Sequence, residues 1–99
     1  MSFPDFVTED RRLAILRLLS EQQGYSLNDS VLHDALEQLG HSVPRAIVRD
    51  DMNWLAERDL VSIETVAGRV AVATLTERGA DVAAGRTRVE GVKRPSPRG

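Results

Sequence analysis

The sequence has no cysteine, which excludes disulfides, thiolate nucleophiles and zinc ribbons in one step and fits a reducing cytoplasm. Long apolar runs are also missing. The longest span four residues, as at Leu13 to Leu16, far short of a bilayer-crossing helix. The N-terminus lacks the basic, apolar, small-residue order of a secretory signal, so a soluble, unexported chain without membrane contact is expected. No glycine-rich phosphate loop or nucleophile elbow occurs. His33 and His41 lie on different segments with no carboxylate cluster between them, so neither a metal nor another cofactor is expected. Asp50 and Asp51 are neighbours, but adjacent helical residues point about 100° apart and cannot face one substrate. A chain of 99 residues also has little core to lose to a deep cleft. We therefore expect no catalytic residue and no enzyme.

The length suits one domain, and the charge is divided along it. Residues 1–85 carry eight Lys or Arg against fourteen Asp or Glu, a net of −6, whereas residues 86–99 carry five against one, a net of +4. Proteins that hold nucleic acid mainly through phosphates usually have a basic body. Here the body is acidic and the tail basic. Glycine, proline and cations dominate residues 86–99, so the expected organisation is a folded domain over residues 8–85 and a flexible basic tail over 86–99.

Thr8 is placed to cap a first helix over residues 9–23, with Glu9 and Asp10 at the positive end of its dipole and Gly24 closing it. Ile15, Leu16 and Leu19 centre its apolar face, and Leu13 and Leu18 widen that face beyond what one core contact requires. The excess is accounted for by burial on several sides or by a second subunit. After an extended link, Asn28 caps a second helix reaching Leu39, with Val31, Leu32, Ala35, Leu36 and Leu39 as its inward stripe and Asp29, Asp34 and Glu37 outward. Ser42 is placed to cap a third helix, with Pro44 in its first turn and an end near Arg58. Val48, Met52 and Leu55 form its buried row, flanked by Ile47 and the sole tryptophan, Trp54.

From Leu60 the apolar period changes to two. A turn at Ala67-Gly68 with a two-residue loop pairs Thr65 with Val70, Ile63 with Val72 and Val61 with Thr74, giving one apolar hairpin face. Thr76 then caps a fourth helix over residues 77–84. The expected fold class is α+β: a three-helix core with a short strand, a two-stranded hairpin and a C-terminal helix.

Two stretches carry a family resemblance. Val48-Arg49-Asp50-Asp51-Met52-Asn53-Trp54-Leu55-Ala56-Glu57-Arg58-Asp59-Leu60-Val61 resembles the recognition helix running into the wing of MarR-like and ArsR-like bacterial regulators. Leu75-Thr76-Glu77-Arg78-Gly79 is similar to the segment that closes the wing in many of them. The whole chain also resembles small winged-helix proteins of Mu-like prophages. The resemblance implies a winged helix-turn-helix and a DNA-binding transcriptional regulator, and the wide apolar face of the first helix adds the expectation of a homodimer through that helix. Two departures stand out: no cysteine exists to build the metal site of ArsR-like sensors, and Leu36 occupies the place of a small residue before the turn glycine.

Arg45, Arg49 and Asn53 recur every four residues on the face of the third helix opposite its buried row. In a major groove the arginines match guanine edges or phosphates, Asn53 matches adenine, and Ser42 reaches the backbone. Arg69 at the hairpin tip is placed for a minor groove. The candidate DNA contacts are therefore Ser42, Arg45, Arg49, Asn53 and Arg69. The same face read conservatively is solvated, with Asp50 and Glu57 as salt partners. The acidic body keeps open a different function, a winged helix that binds a protein partner as a phage accessory or host-directed factor.

Overall fold

The computed structural model describes residues 2–96. Its first helix, α1 (Phe3–Ser20), begins earlier than the Thr8 cap suggests, because the Ser2 hydroxyl accepts the Asp5 N–H at 3.2 Å and Pro4 occupies the first turn. Thr8 lies inside the helix. The chain leaves α1 through Glu21 and a short 3-10 turn, where Gly24 takes a positive φ of 84°. Strand β1 (Ser26–Asn28) follows.

Helix α2 (Asp29–Gln38) starts as its sequence requires, with the side-chain Oδ1 of Asn28 accepting the Val31 N–H at 2.8 Å. Its buried residues are Leu32, Leu36 and Asp29. Val31 and Leu39, assigned above to the inward stripe, are exposed at 45% and 57%. Val31 sits about 100° or more round the axis from Leu32 and Leu36, and Leu39 is the C-cap beyond the last residue of the helix. Helix α3 (Arg45–Glu57) begins after Pro44 without a side-chain cap, so Ser42 is not its cap. Val48, Asp51, Met52 and Leu55 face inward.

Strands β2 (Val61–Val66) and β3 (Val70–Leu75) form a hairpin, and β1 joins β3 on the other side, giving a three-stranded antiparallel sheet in the order β1-β3-β2. Ala67 and Gly68 take positive φ values of 55° and 73°, as a tight hairpin loop needs. Arg69, however, stands as a third loop residue, because Val66 pairs with Val70. Every pair therefore shifts by one: Ile63 lies opposite Ala73 and Thr65 opposite Ala71, while Val72 faces Glu64. The expected pairing of Ile63 with Val72 is wrong, and the two residues point to opposite faces of the sheet.

Helix α4 (Glu77–Ala83) is capped by Thr76, whose hydroxyl accepts the Gly79 N–H at 2.9 Å and donates to the Asp59 carbonyl at 2.7 Å. Gly79 lies against the Leu60 carbonyl, where a Cβ would overlap the oxygen. The Leu-Thr-Glu-Arg-Gly segment thus docks α4 onto the link between α3 and β2.

The broad apolar face of α1 is used inside this one chain. Leu13, Ile15, Leu16 and Leu19 are at most 2% exposed, and the helix packs on α2, α4 and β3. Arg11 of α1 forms a buried ion pair with Asp51 of α3, and Arg12 stands 3.6 Å from the same carboxylate. Part of the stretch expected to be a flexible tail lies against the domain. Val92 is buried, the Lys93 N–H donates to the Glu9 carbonyl, and Arg12 donates to the Gly91 carbonyl at 2.9 Å. Gly91 lies on the ring edge of Trp54, which is sandwiched between the guanidinium groups of Arg12 and Arg58 at 3.8 and 3.6 Å. Residues 97–99 lie outside the described residues.

Candidate nucleic-acid interface

Arg45 opens α3 and is exposed, its Nη2 lying 3.4 Å from the Ser30 hydroxyl of α2. One turn on, the Arg49 Nε–H donates to Asp29 Oδ2 at 2.6 Å, and its Nη2–H donates to the backbone carbonyl of Arg69 at 3.2 Å. Asn53 is exposed a further turn along. Arg69 is exposed at the hairpin tip, and its carbonyl bond to Arg49 sets it beside α3. Ser42 is exposed in the link before α3. The spacing-derived row therefore comes together with the hairpin tip, and the residue that joins them is Arg49.

Sequence reasoning missed Asp29. Assigned above to the solvated side of α2, its side chain is 3% exposed, whereas that of Arg49 is 47% exposed. Asp29 is the first residue of α2, so its carboxylate also sits at the positive end of that helix. Asp50 is exposed, and the ion partner of Arg49 is Asp29 rather than the expected Asp50 or Glu57. The available signal was an acid directly after a helix cap, with an arginine row on the next helix.

A second polar cluster lies between α1 and the α2–α3 link. His41 Nε2 is 2.7 Å from Asp10 Oδ2, and Lys93 Nζ is 3.2 Å from Asp10 Oδ1. Burial pushes the Asp10 carboxyl up, but hydrogen bonds and charge from His41 and Lys93 outweigh it and hold it below the ordinary aspartate value. For Arg12, burial lowers the guanidinium despite the charge of Asp51, and Arg12 Nε has no hydrogen-bond partner. Beside the cluster a groove of about 320 Å³ is lined by Leu13, Ala14, Leu18 and Leu39, with Arg17 and Glu21 on its rim. Among the described residues no three His, Cys, Asp or Glu side chains gather as metal ligands, and no helix is long and apolar enough to cross a membrane.

No family model and no solved structure matches the chain. It is 42% identical over 78 residues to an uncharacterized protein of Haemophilus influenzae, covering 79% of this chain and 76% of that one. It is 53% identical over 94 residues to the uncharacterized protein gp26 of Escherichia phage Mu, covering 95% of this chain and 96% of the phage protein. The chain belongs to the family of phage Mu gp26.

Proposed function

We propose that this protein is a winged helix-turn-helix that binds DNA and acts as a phage-type transcriptional regulator. In this reading α2 and α3 are the helix-turn-helix, the β2–β3 hairpin is the wing, and α3 enters the major groove. The observation that carries it is the grouping of Arg45, Asn53 and Arg69 around Arg49 on one exposed surface. Guanidinium and carboxamide groups are the side chains that pair bidentately with guanine and adenine edges. A relative in phage Mu supplies a phage setting, though its name states no activity.

The test is selection from a random duplex pool at low salt, where screening does not hide a weak electrostatic contribution. An enriched motif is expected, and Arg45→Ala with Asn53→Ala should abolish the enrichment. If the intact protein shows no sequence preference and the double variant behaves identically, DNA reading fails.

A second reading is a winged helix that docks on a protein. The net charge of −6 over residues 1–85 and the exposed Leu39, which lines the groove against α1, favour it. Self-association through α1 is part of the leading proposal. Leu18 is its half-exposed element, and sedimentation at tens of micromolar, where weak dimers appear, should show a dimer that Leu18→Glu removes.

A further inference from the structure

The equal spacing of Arg45, Arg49 and Asn53 suggests three equivalent reading heads, but their surroundings divide them. Two branches of the Arg49 guanidinium are already occupied, Nε–H by the buried carboxylate of Asp29 and Nη2–H by the Arg69 carbonyl. Reaching a base would leave Asp29, with 3% of its side chain exposed, as an unpaired buried charge. That state is strongly disfavoured. Among the described residues Arg45 and Arg69 make no ion pair, Arg45 makes only a long, exposed hydrogen bond of 3.4 Å to the Ser30 hydroxyl, and Asn53 makes no side-chain hydrogen bond. A ligand that claims these groups leaves no buried charge unpaired.

The hairpin tip needs a tie of this kind. From Glu64 to Arg69 every residue is exposed, so little packing fixes the direction of the wing. The Arg49 bond to the Arg69 carbonyl connects it to α3, and the Asp29 carboxylate fixes the arginine to the first turn of α2.

Resting on the DNA-binding reading above, we propose that Arg49 is a positioning residue that holds the wing tip against α3. Contact with DNA is then made by Arg45 and Asn53 from the helix and by Arg69 from the wing. Arg49 carries the geometry of the surface rather than its sequence preference.

Arg49→Lys is the informative variant, because a lysine retains a cation for Asp29 but lacks the fork that also reaches the Arg69 carbonyl. Arg49→Ala serves as a second, more disruptive variant. In the free protein, backbone ¹⁵N relaxation of Gly68, Arg69 and Val70 should fall from order parameters of about 0.85 toward 0.6 or lower in Arg49→Lys, with the rest of the spectrum retained. In DNA binding, Arg49→Lys should weaken all sequences alike by about tenfold, 1.4 kcal/mol. It should cause no further loss in an Arg69→Ala background, where no wing side chain remains to be positioned. Unchanged wing-tip order in Arg49→Lys overturns the inference, as do losses from Arg49→Lys and Arg69→Ala that multiply independently. Because wing-tip order is measured without DNA, a failure of DNA reading and a failure of the tie are separate results.

Discussion

Replacing Gly79 by alanine sets two physical effects against each other. Gly79 lies in the first turn of α4 with ordinary helical backbone, so helix propensity alone predicts that alanine stabilises the protein by about 1 kcal/mol. Space predicts the opposite. A Cβ at residue 79 would overlap the Leu60 carbonyl oxygen and approach Leu75 Cδ1 at 2.8 Å. The obstacle is backbone, not a flexible side-chain end, and Leu60 itself is fully buried. Relief requires α4 to move off the α3–β2 link, which stretches the bond from the Thr76 N–H to the Leu60 carbonyl and the bond from the Thr76 hydroxyl to the Asp59 carbonyl. Each contributes about 1 kcal/mol, and overpacking adds about 1–3 kcal/mol. Less the gain in propensity, the net loss is about 2–4 kcal/mol, or roughly 10–25 °C in Tm for a domain of this size. Thermal unfolding followed by circular dichroism measures it. A Gly79→Ala protein as stable as the parent, or more so, would refute the close approach.

Asp51→Ala leaves Arg11 buried without its partner and should destabilise by about 3–5 kcal/mol in urea unfolding, whereas Asp50→Ala, at an exposed site, should have little effect. Asp10 is held below the ordinary aspartate value of 3.8 in the folded chain, so its contribution is present above that pH and is lost as pH falls through the lower folded value. Acid unfolding should therefore show a weaker pH dependence in Asp10→Asn. Truncation after residue 85 removes Val92 and Gly91 from α1 and Trp54. It should shift tryptophan emission to the red and cost about 1.5–3 kcal/mol, the burial of one valine.

Helix order and most helix ends were legible in the sequence because they rest on local chemistry. Asn28 and Thr76 cap α2 and α4 through bonds spanning three residues, and such bonds need no tertiary context. The hairpin register was not legible, for a specific reason. In β3 the residues of both parities are apolar, Val70 and Val72 on one face and Ala71, Ala73 and Leu75 on the other, so alternation accepts two registers equally. The extra loop residue, Arg69, decides between them, and nothing in its identity announces that it is unpaired. The packing of Gly91 and Val92 was hidden by composition. Two small apolar contacts, Val92 on the core and Gly91 on Trp54, hold a segment whose remaining residues look unstructured. Asp29 was misassigned because a helical wheel reports direction around one axis and ignores what the next helix brings to its end.

The acidic balance of residues 1–85 argues against DNA binding only while every charge counts equally, and the ion pairs show that they do not. Of the eight cations in that stretch, Arg11 and Arg12 share Asp51, Arg49 holds Asp29, and Arg58 lies beside Glu57 and Trp54. The three carboxylates offset three of these four positive charges within a few ångströms. Among the described residues this leaves Arg17, Arg45, Arg69 and Arg78 outside any ion pair. Two of the four, Arg45 and Arg69, lie on the surface formed by α3 and the hairpin tip, on either side of Arg49. A phosphate at that surface meets two uncompensated guanidinium groups, whereas distant carboxylates act across a Debye length of about 8 Å at physiological salt. The quantity that bears on recognition is therefore the local unpaired charge, to which Arg45 and Arg69 contribute two cations and the exposed Asp50, next to Arg49 in sequence, one anion, and not the net charge of the acidic body.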